Sequence, residues 1–85
     1  MNIASGLKVF EPAADLGVCL AIVSSFKNKP LPAKSVAIGE VGLLGEIRNV
    51  IGLDRRLKEA KKLGFTHTIS PKTYTYLTKV VEDLL

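Results

Sequence analysis

Eighty-five residues, 47% of them hydrophobic, provide for one domain with a modest core, at a size where burial is marginal without a partner chain. A single cysteine excludes an internal disulfide, and the best apolar run, residues 16–23, stops at Ser24, far short of the ~20 residues a membrane-spanning helix needs. Twelve Lys and Arg against eight Asp and Glu give a net charge of +4, which bears on partners rather than on fold.

The opening MNIASGLKVF has no basic segment leading into a long apolar stretch, so no signal peptide is expected and a reducing, cytoplasmic setting fits the lone thiol. Within residues 2–10, Ile3, Leu7 and Val9 around Ser5-Gly6 read as a strand with a bulge. Pro12 suits a first helical turn, and Glu11 and Asp15 suit the positive end of the helix that follows. From Ala13 to Phe26 nearly every face is apolar, which predicts a helix buried on most sides by a sheet and a neighbouring subunit. Gly17 either admits a second backbone or is merely tolerated, and Cys19 reads as a packed, reduced thiol. Pro30 and Pro32 end the helix.

Residues 35–41 read as one strand, 42–45 as a hairpin connection and 46–50 as the antiparallel return. Glu40 and Glu46 come near each other in such a hairpin. They would serve acid-base or metal chemistry only with further ligands, and the spacing supplies none, so solvated strand charges are the plainer reading. A helix over 53–63 turns Leu53, Leu57 and Ala60 inward and ends at Gly64 in a left-handed conformation. Between Arg48 and Lys62 stand six basic residues (Arg48, Arg55, Arg56, Lys58, Lys61, Lys62) against Asp54 and Glu59, while the rest of the chain is balanced. Such a helix supplies phosphate contacts or simply faces solvent. Phe65, His67 and Ile69 alternate as a strand, and His67 has no second ligand at metal spacing. A last helix over 73–85 points Leu77, Val80, Val81, Leu84 and Tyr74 inward, with Tyr74 and Tyr76 as packing residues whose hydroxyls stay wet.

Several short motifs agree in order and spacing with a known family. Gly39-Glu40-Val41, the return Gly45-Glu46-Ile47, the basic helix, and the exit Gly64-Phe65 into a strand ended by Pro71 resemble the C-terminal part of a Lon-protease-like domain. EPAADLGVCLAIVSSFKNKPLPA, residues 11–33, narrows the resemblance to the C-terminal domain of the RadA (Sms) family of bacterial DNA repair proteins, over about residues 2–72. The resemblance implies an α/β (α+β) fold of the Lon-protease-like (ribosomal protein S5 domain 2-like) type, with a small mixed sheet packed by about three helices. Residues 1–85 would be the C-terminal part of one such domain, its earlier strands preceding Met1, with no second domain.

Proteases of this type use a serine after a proline and a lysine near the start of the second helix. Here Pro12 is followed by Ala13, and the lysine position falls near Asp54, with Leu53, Arg55 or Arg56 as neighbours if the alignment slips. Alanine has no nucleophilic atom, and arginine does not give up its proton near neutral pH, so no peptidase activity is expected. The resemblance further implies a hexameric, ATP-driven DNA branch-migration protein acting in recombination. ATP, Mg and Zn are expected only in preceding domains, since this chain has neither a Gly-x-x-x-x-Gly-Lys-(Ser/Thr) motif nor paired cysteines. The role implied is to hold the ring together and offer phosphate contacts to single-stranded or branched DNA from Arg55, Arg56, Lys58, Lys61 and Lys62, with Arg48 and Lys8 as secondary candidates. The alternative is a structural scaffold without DNA contact.

Overall fold

The computed structural model describes residues 11–85; the strand read over 2–10, and Lys8 with it, lie outside the described residues. Pro12, pre-set for a helical turn, opens a single 3-10 turn, Pro12–Ala14, which runs directly into helix α1, Asp15–Lys27. Asn28 ends α1 in the left-handed region at φ 54°. Its N–H donates to the Ser25 carbonyl at 3.2 Å and that of Lys29 to the Ser24 carbonyl at 3.0 Å, so the last turn's carbonyls are satisfied.

The stretch 35–41, expected as one strand, is two: β1, Ser35–Ala37, and β2, Glu40–Val41. Gly39 makes the break. Its N–H donates to the Ala13 carbonyl and its carbonyl accepts from Leu16 N–H, both at 3.0 Å, so its backbone serves the start of the helix instead of a strand ladder. A Cβ at this position would lie 3.1 Å from Ile47 Cγ2 and 3.4 Å from Leu16 Cδ2, so glycine is what allows strand and helix to meet here. The hairpin closes as expected, with β2 antiparallel to β3, Ile47–Arg48, in the register Glu40↔Arg48 and Val41↔Ile47. Helix α2, Leu53–Lys62, follows the predicted stripe, with Leu53 and Ala60 buried. It ends at Gly64, φ 97°, where Gly64 N–H and Phe65 N–H donate to the Lys61 and Ala60 carbonyls, each at 3.1 Å. Strand β4, His67–Ile69, then pairs parallel with β1.

Helix α3, Leu77–Leu84, begins four residues later than expected. Ser70 to Thr73 form a turn, and Tyr76 is extended at φ −131° and ψ 144°. Ile47 N–H donates to the Thr75 carbonyl and Leu77 N–H to the Gly45 carbonyl, both at 2.8 Å, so Thr75 and Tyr76 lie along the hairpin. The Thr-Tyr-Thr-Tyr run favours extended backbone, and the hairpin supplies it with partners. The result, among the described residues, is a small α/β arrangement of three helices with one parallel and one antiparallel strand pair.

Leu16 and Leu20 of α1, Ile47, Ile69, Val80 and Leu85 form the buried core. The chain's own elements do not bury α1 on most sides: Ile22 is 64% exposed and Phe26 91%. Two short strand pairs and α3 offer only enough surface to cover the Leu16 and Leu20 face. Nor does Gly17 serve a close approach, since a Cβ there would sit 3.7 Å from the Ala37 carbonyl oxygen, an ordinary contact. Gly17→Ala is therefore expected to stabilise the fold by about 1 kcal/mol, raising the melting temperature by about 4–8 °C. A lowered melting temperature would mean that the helix and strand cannot accept even a methyl group.

The connections fix an orientation that matters for the charges. Because β1 and β4 are parallel, both begin at one end of the molecule, here the lower end, and finish at the upper end. Helix α1 starts at the upper end, beside Gly39, and runs back so that residues 28–34 lead into β1. Helix α2 also starts there, beside Glu11 and Lys72, and returns through Gly64 to the start of β4. Lys34 ties the two strand starts together, its carbonyl accepting from Thr66 and His67 N–H, each at 3.1 Å. Both helices thus end at the lower end.

Candidate nucleic-acid interface

At the upper end Arg48, Arg56 and Lys72 are engaged, while Arg55, exposed in the first turn of α2, has no carboxylate in ion-pair reach among the described residues. Arg48 donates to Glu46 from Nη2 at 2.7 Å and from Nε at 3.2 Å, and Leu44 N–H donates to the same carboxylate at 3.0 Å. The bond from Arg48 holds the Glu46 carboxyl below its ordinary range, and Glu46 in turn raises the affinity of the Arg48 guanidinium for its proton. The Glu46 carboxylate occupies the space a Cβ on Gly42 would fill, so a side chain there would push that carboxylate aside. Across the hairpin Glu40 faces Arg48, not Glu46, so no carboxylate pair is set up. Arg56 donates to Glu11 at 3.0 Å and to the Ile51 carbonyl at 3.0 Å, while Lys72 bonds to Asp54.

A shallow cleft between the 3-10 turn, β2 and the start of α2 is lined by Glu11, Pro12, Glu40, Val50, Ile51 and Arg56. Of the positions that the resemblance assigns to the serine and lysine, Ala13 is buried and Asp54 faces solvent in its pair with Lys72. The hydroxyls of Ser24 and Ser35 donate to backbone carbonyls, and that of the buried Ser70 accepts from Lys72 N–H at 3.2 Å. Among the described residues, no group of three or more His, Cys, Asp or Glu is arranged to hold a metal ion. His67 is half-buried at the start of β4. Burial, then the nearby Asp15 carboxylate, pushes the Cys19 thiol up, so it stays protonated. Tyr74 packs against the core with its hydroxyl raised by burial and by the Asp83 carboxylate, as a packing tyrosine should be.

The lower end is different. Lys27 and Lys29 at the end of α1, Lys34 before β1, and Lys58, Lys61 and Lys62 in the second half of α2 are all exposed. Among the described residues only Lys62 has a carboxylate within reach, Glu59 at 3.9 Å, and that pair is open to solvent. Lysines in the last turn of a helix favour the negative end of its dipole, which accounts for Lys27, Lys61 and Lys62 without any ligand. Lys29 and Lys34 lie outside the helices and have no such role. Of the residues expected to meet phosphate, Arg55, Lys58 and Lys62 share the outward face of α2, Lys61 flanks it, and Arg48 and Arg56 are turned into ion pairs. Lys27, Lys29 and Lys34 were not among the expected residues, because their neighbours at the lower end are set by topology.

Residues 1–74 match the family model described as subunit ChlI of Mg-chelatase. The chain belongs to that family. Within it the chain is similar to proteins named DNA repair protein RadA, as residues 11–33 suggested. The RadA of Chlamydia pneumoniae is 56% identical over 72 residues, covering 85% of this chain and 16% of the relative. That of Campylobacter jejuni is 52% identical over 84 residues, 99% of this chain and 18% of the relative. For Aquifex aeolicus the identity is 55% over 73 residues, 86% of this chain and 16% of the relative. The chain therefore spans less than a fifth of the length of these RadA relatives. The Campylobacter match also takes in nearly all of the tail beyond residue 72, which the motifs alone left unassigned. No helix among the described residues of this RadA relative is long and apolar enough to cross a membrane.

Proposed function

We propose that this chain is a non-catalytic DNA-binding and oligomerisation module of a RadA-type DNA repair protein, with a Lon-protease-like fold that has lost its hydrolytic chemistry. The observation that carries the reading is the lower end, where six exposed lysines from three separate segments meet one carboxylate in ion-pair reach, Glu59. Unneutralised cations gathered from distant parts of a chain form the electrostatic footprint of a polyanion partner. The names of the relatives make DNA the polyanion of choice. Ala13 and Asp54 support the absence of peptidase chemistry, since neither can act as nucleophile or base in place of serine and lysine. In the upper half Leu43, Leu44 and Ile51 are exposed beside charges that already satisfy one another, which suits a contact between copies in a ring. In a whole protein of this kind the module would act in the cytoplasm within a hexameric branch-migration motor, with ATP, Mg and Zn handled by other domains.

The test is binding of the chain to single-stranded and duplex DNA between 50 and 200 mM salt. With about four lysines on phosphates, the slope of log affinity against log salt is expected near −3.6 for duplex, a loss of about 100-fold over that range. Sequence preference should be slight. No binding at 50 mM salt would favour the rival reading of a purely structural scaffold, and a monomeric mass in solution would remove the assembly role.

A further inference from the structure

The lower end carries an aromatic ring as well as charge. Phe26, in the last turn of α1, is 91% exposed and contributes nothing to the core. The helix end beside it is closed by Asn28 and Lys29 through backbone bonds that require no aromatic residue at 26. Lys27 and Lys29 flank the ring in sequence, and neither has a carboxylate in ion-pair reach among the described residues. A lone exposed apolar side chain is ordinary on a protein surface. What separates Phe26 from Leu43, Leu44 and Ile51 is that its surroundings are cationic and unneutralised, whereas theirs are paired.

We infer that this end takes single-stranded nucleic acid, with Phe26 stacking on an unpaired base while Lys27, Lys29 and Lys34 hold the flanking phosphates. A cationic track with an exposed ring is what sequence-tolerant strand binders use, because every base offers a π-face. In a duplex those faces are already stacked on one another, so the ring selects the unpaired strand and the lysines alone do not. A second copy of the chain is a poor occupant, since docking two such ends would set lysines against lysines. The inference rests on the DNA reading above and narrows it to one class of substrate.

The chain has no tryptophan, so Phe26→Trp installs a single fluorophore at the site in question. Oligo-dT is expected to quench it, while a duplex and an abasic strand of equal length bind through the lysines without quenching. Phe26→Leu, which keeps an apolar side chain but removes the π-face, should weaken single-strand binding by about 10-fold or more and leave duplex affinity within about twofold. Position 26 is exposed, so unchanged melting temperatures for both variants confirm that folding is not what is read. Equal quenching by oligo-dT and the abasic strand, or by anionic phosphatidylserine vesicles with none from oligo-dT, overturns the inference, as does a Phe26→Leu variant that keeps full single-strand affinity. If lysine substitutions still weaken binding in that last case, the DNA reading stands and only the stacking role falls; if they have no effect, both fall.

Discussion

Reversing the charge of Lys29, Lys34 and Lys61 together is expected to lower the affinity for DNA by about 100-fold or more at 50 mM salt and to flatten the salt dependence by about three units of slope. The three residues come from two segments, the α1–β1 connection for the first two and α2 for the third, which meet at the lower end of the molecule. None has a carboxylate partner among the described residues, so their substitution should leave the melting temperature nearly unchanged. Arg48→Gln and Arg56→Gln provide the contrast. Both guanidiniums are committed at the upper end, to Glu46 at 2.7 Å and to Glu11 at 3.0 Å, and offering them to a phosphate would release a carboxylate beside it. Their loss should change the slope by less than half a unit. If the arginine variants weaken binding as much as the lysine triple, the interface is at the upper end and the orientation argument fails.

That contrast also marks what the amino-acid order could convey. The stripe of Leu53, Leu57 and Ala60, the left-handed Gly64 and the Gly42 to Gly45 turn were legible because each is decided within a few residues. Gly39 looked like an ordinary small residue of a strand, yet its backbone bonds to Ala13 and Leu16, more than twenty positions away, break that strand in two. The segment 73–76 reads as part of the helix that follows it, and the hairpin edge at Gly45 and Ile47 supplies the partners that let its Thr-Tyr-Thr-Tyr run take extended form. Counting charge along the chain gave α2 the whole excess. The fold instead spends Arg56 on Glu11 and brings Lys27, Lys29 and Lys34, balanced in the count by distant acids, to the same end of the molecule as Lys61 and Lys62. Candidate phosphate contacts were thus half visible: their chemistry was local, but their neutralisation was not.

Leu20→Ala is expected to cost about 2–5 kcal/mol of stability, read as a lower urea midpoint with an unchanged slope. An 85-residue domain has roughly 4–13 kcal/mol in total, so this single truncation takes a large share of it. The reason is the size of the core: among the described residues six buried side chains form it, and Leu16 and Leu20, both 0% exposed, are the fully buried contribution of α1, with Val23 packed against them only in part. Two turns further along the same helix, Phe26→Ala should cost well under 1 kcal/mol, because its ring is in solvent. The pair of variants tests the orientation of α1 on β1, and with it the exposure of Phe26 at the lower end. Near-neutral Leu20→Ala with a costly Phe26→Ala would mean that α1 buries the opposite face, which would turn the Phe26 ring inward and remove it from the surface on which strand binding is argued.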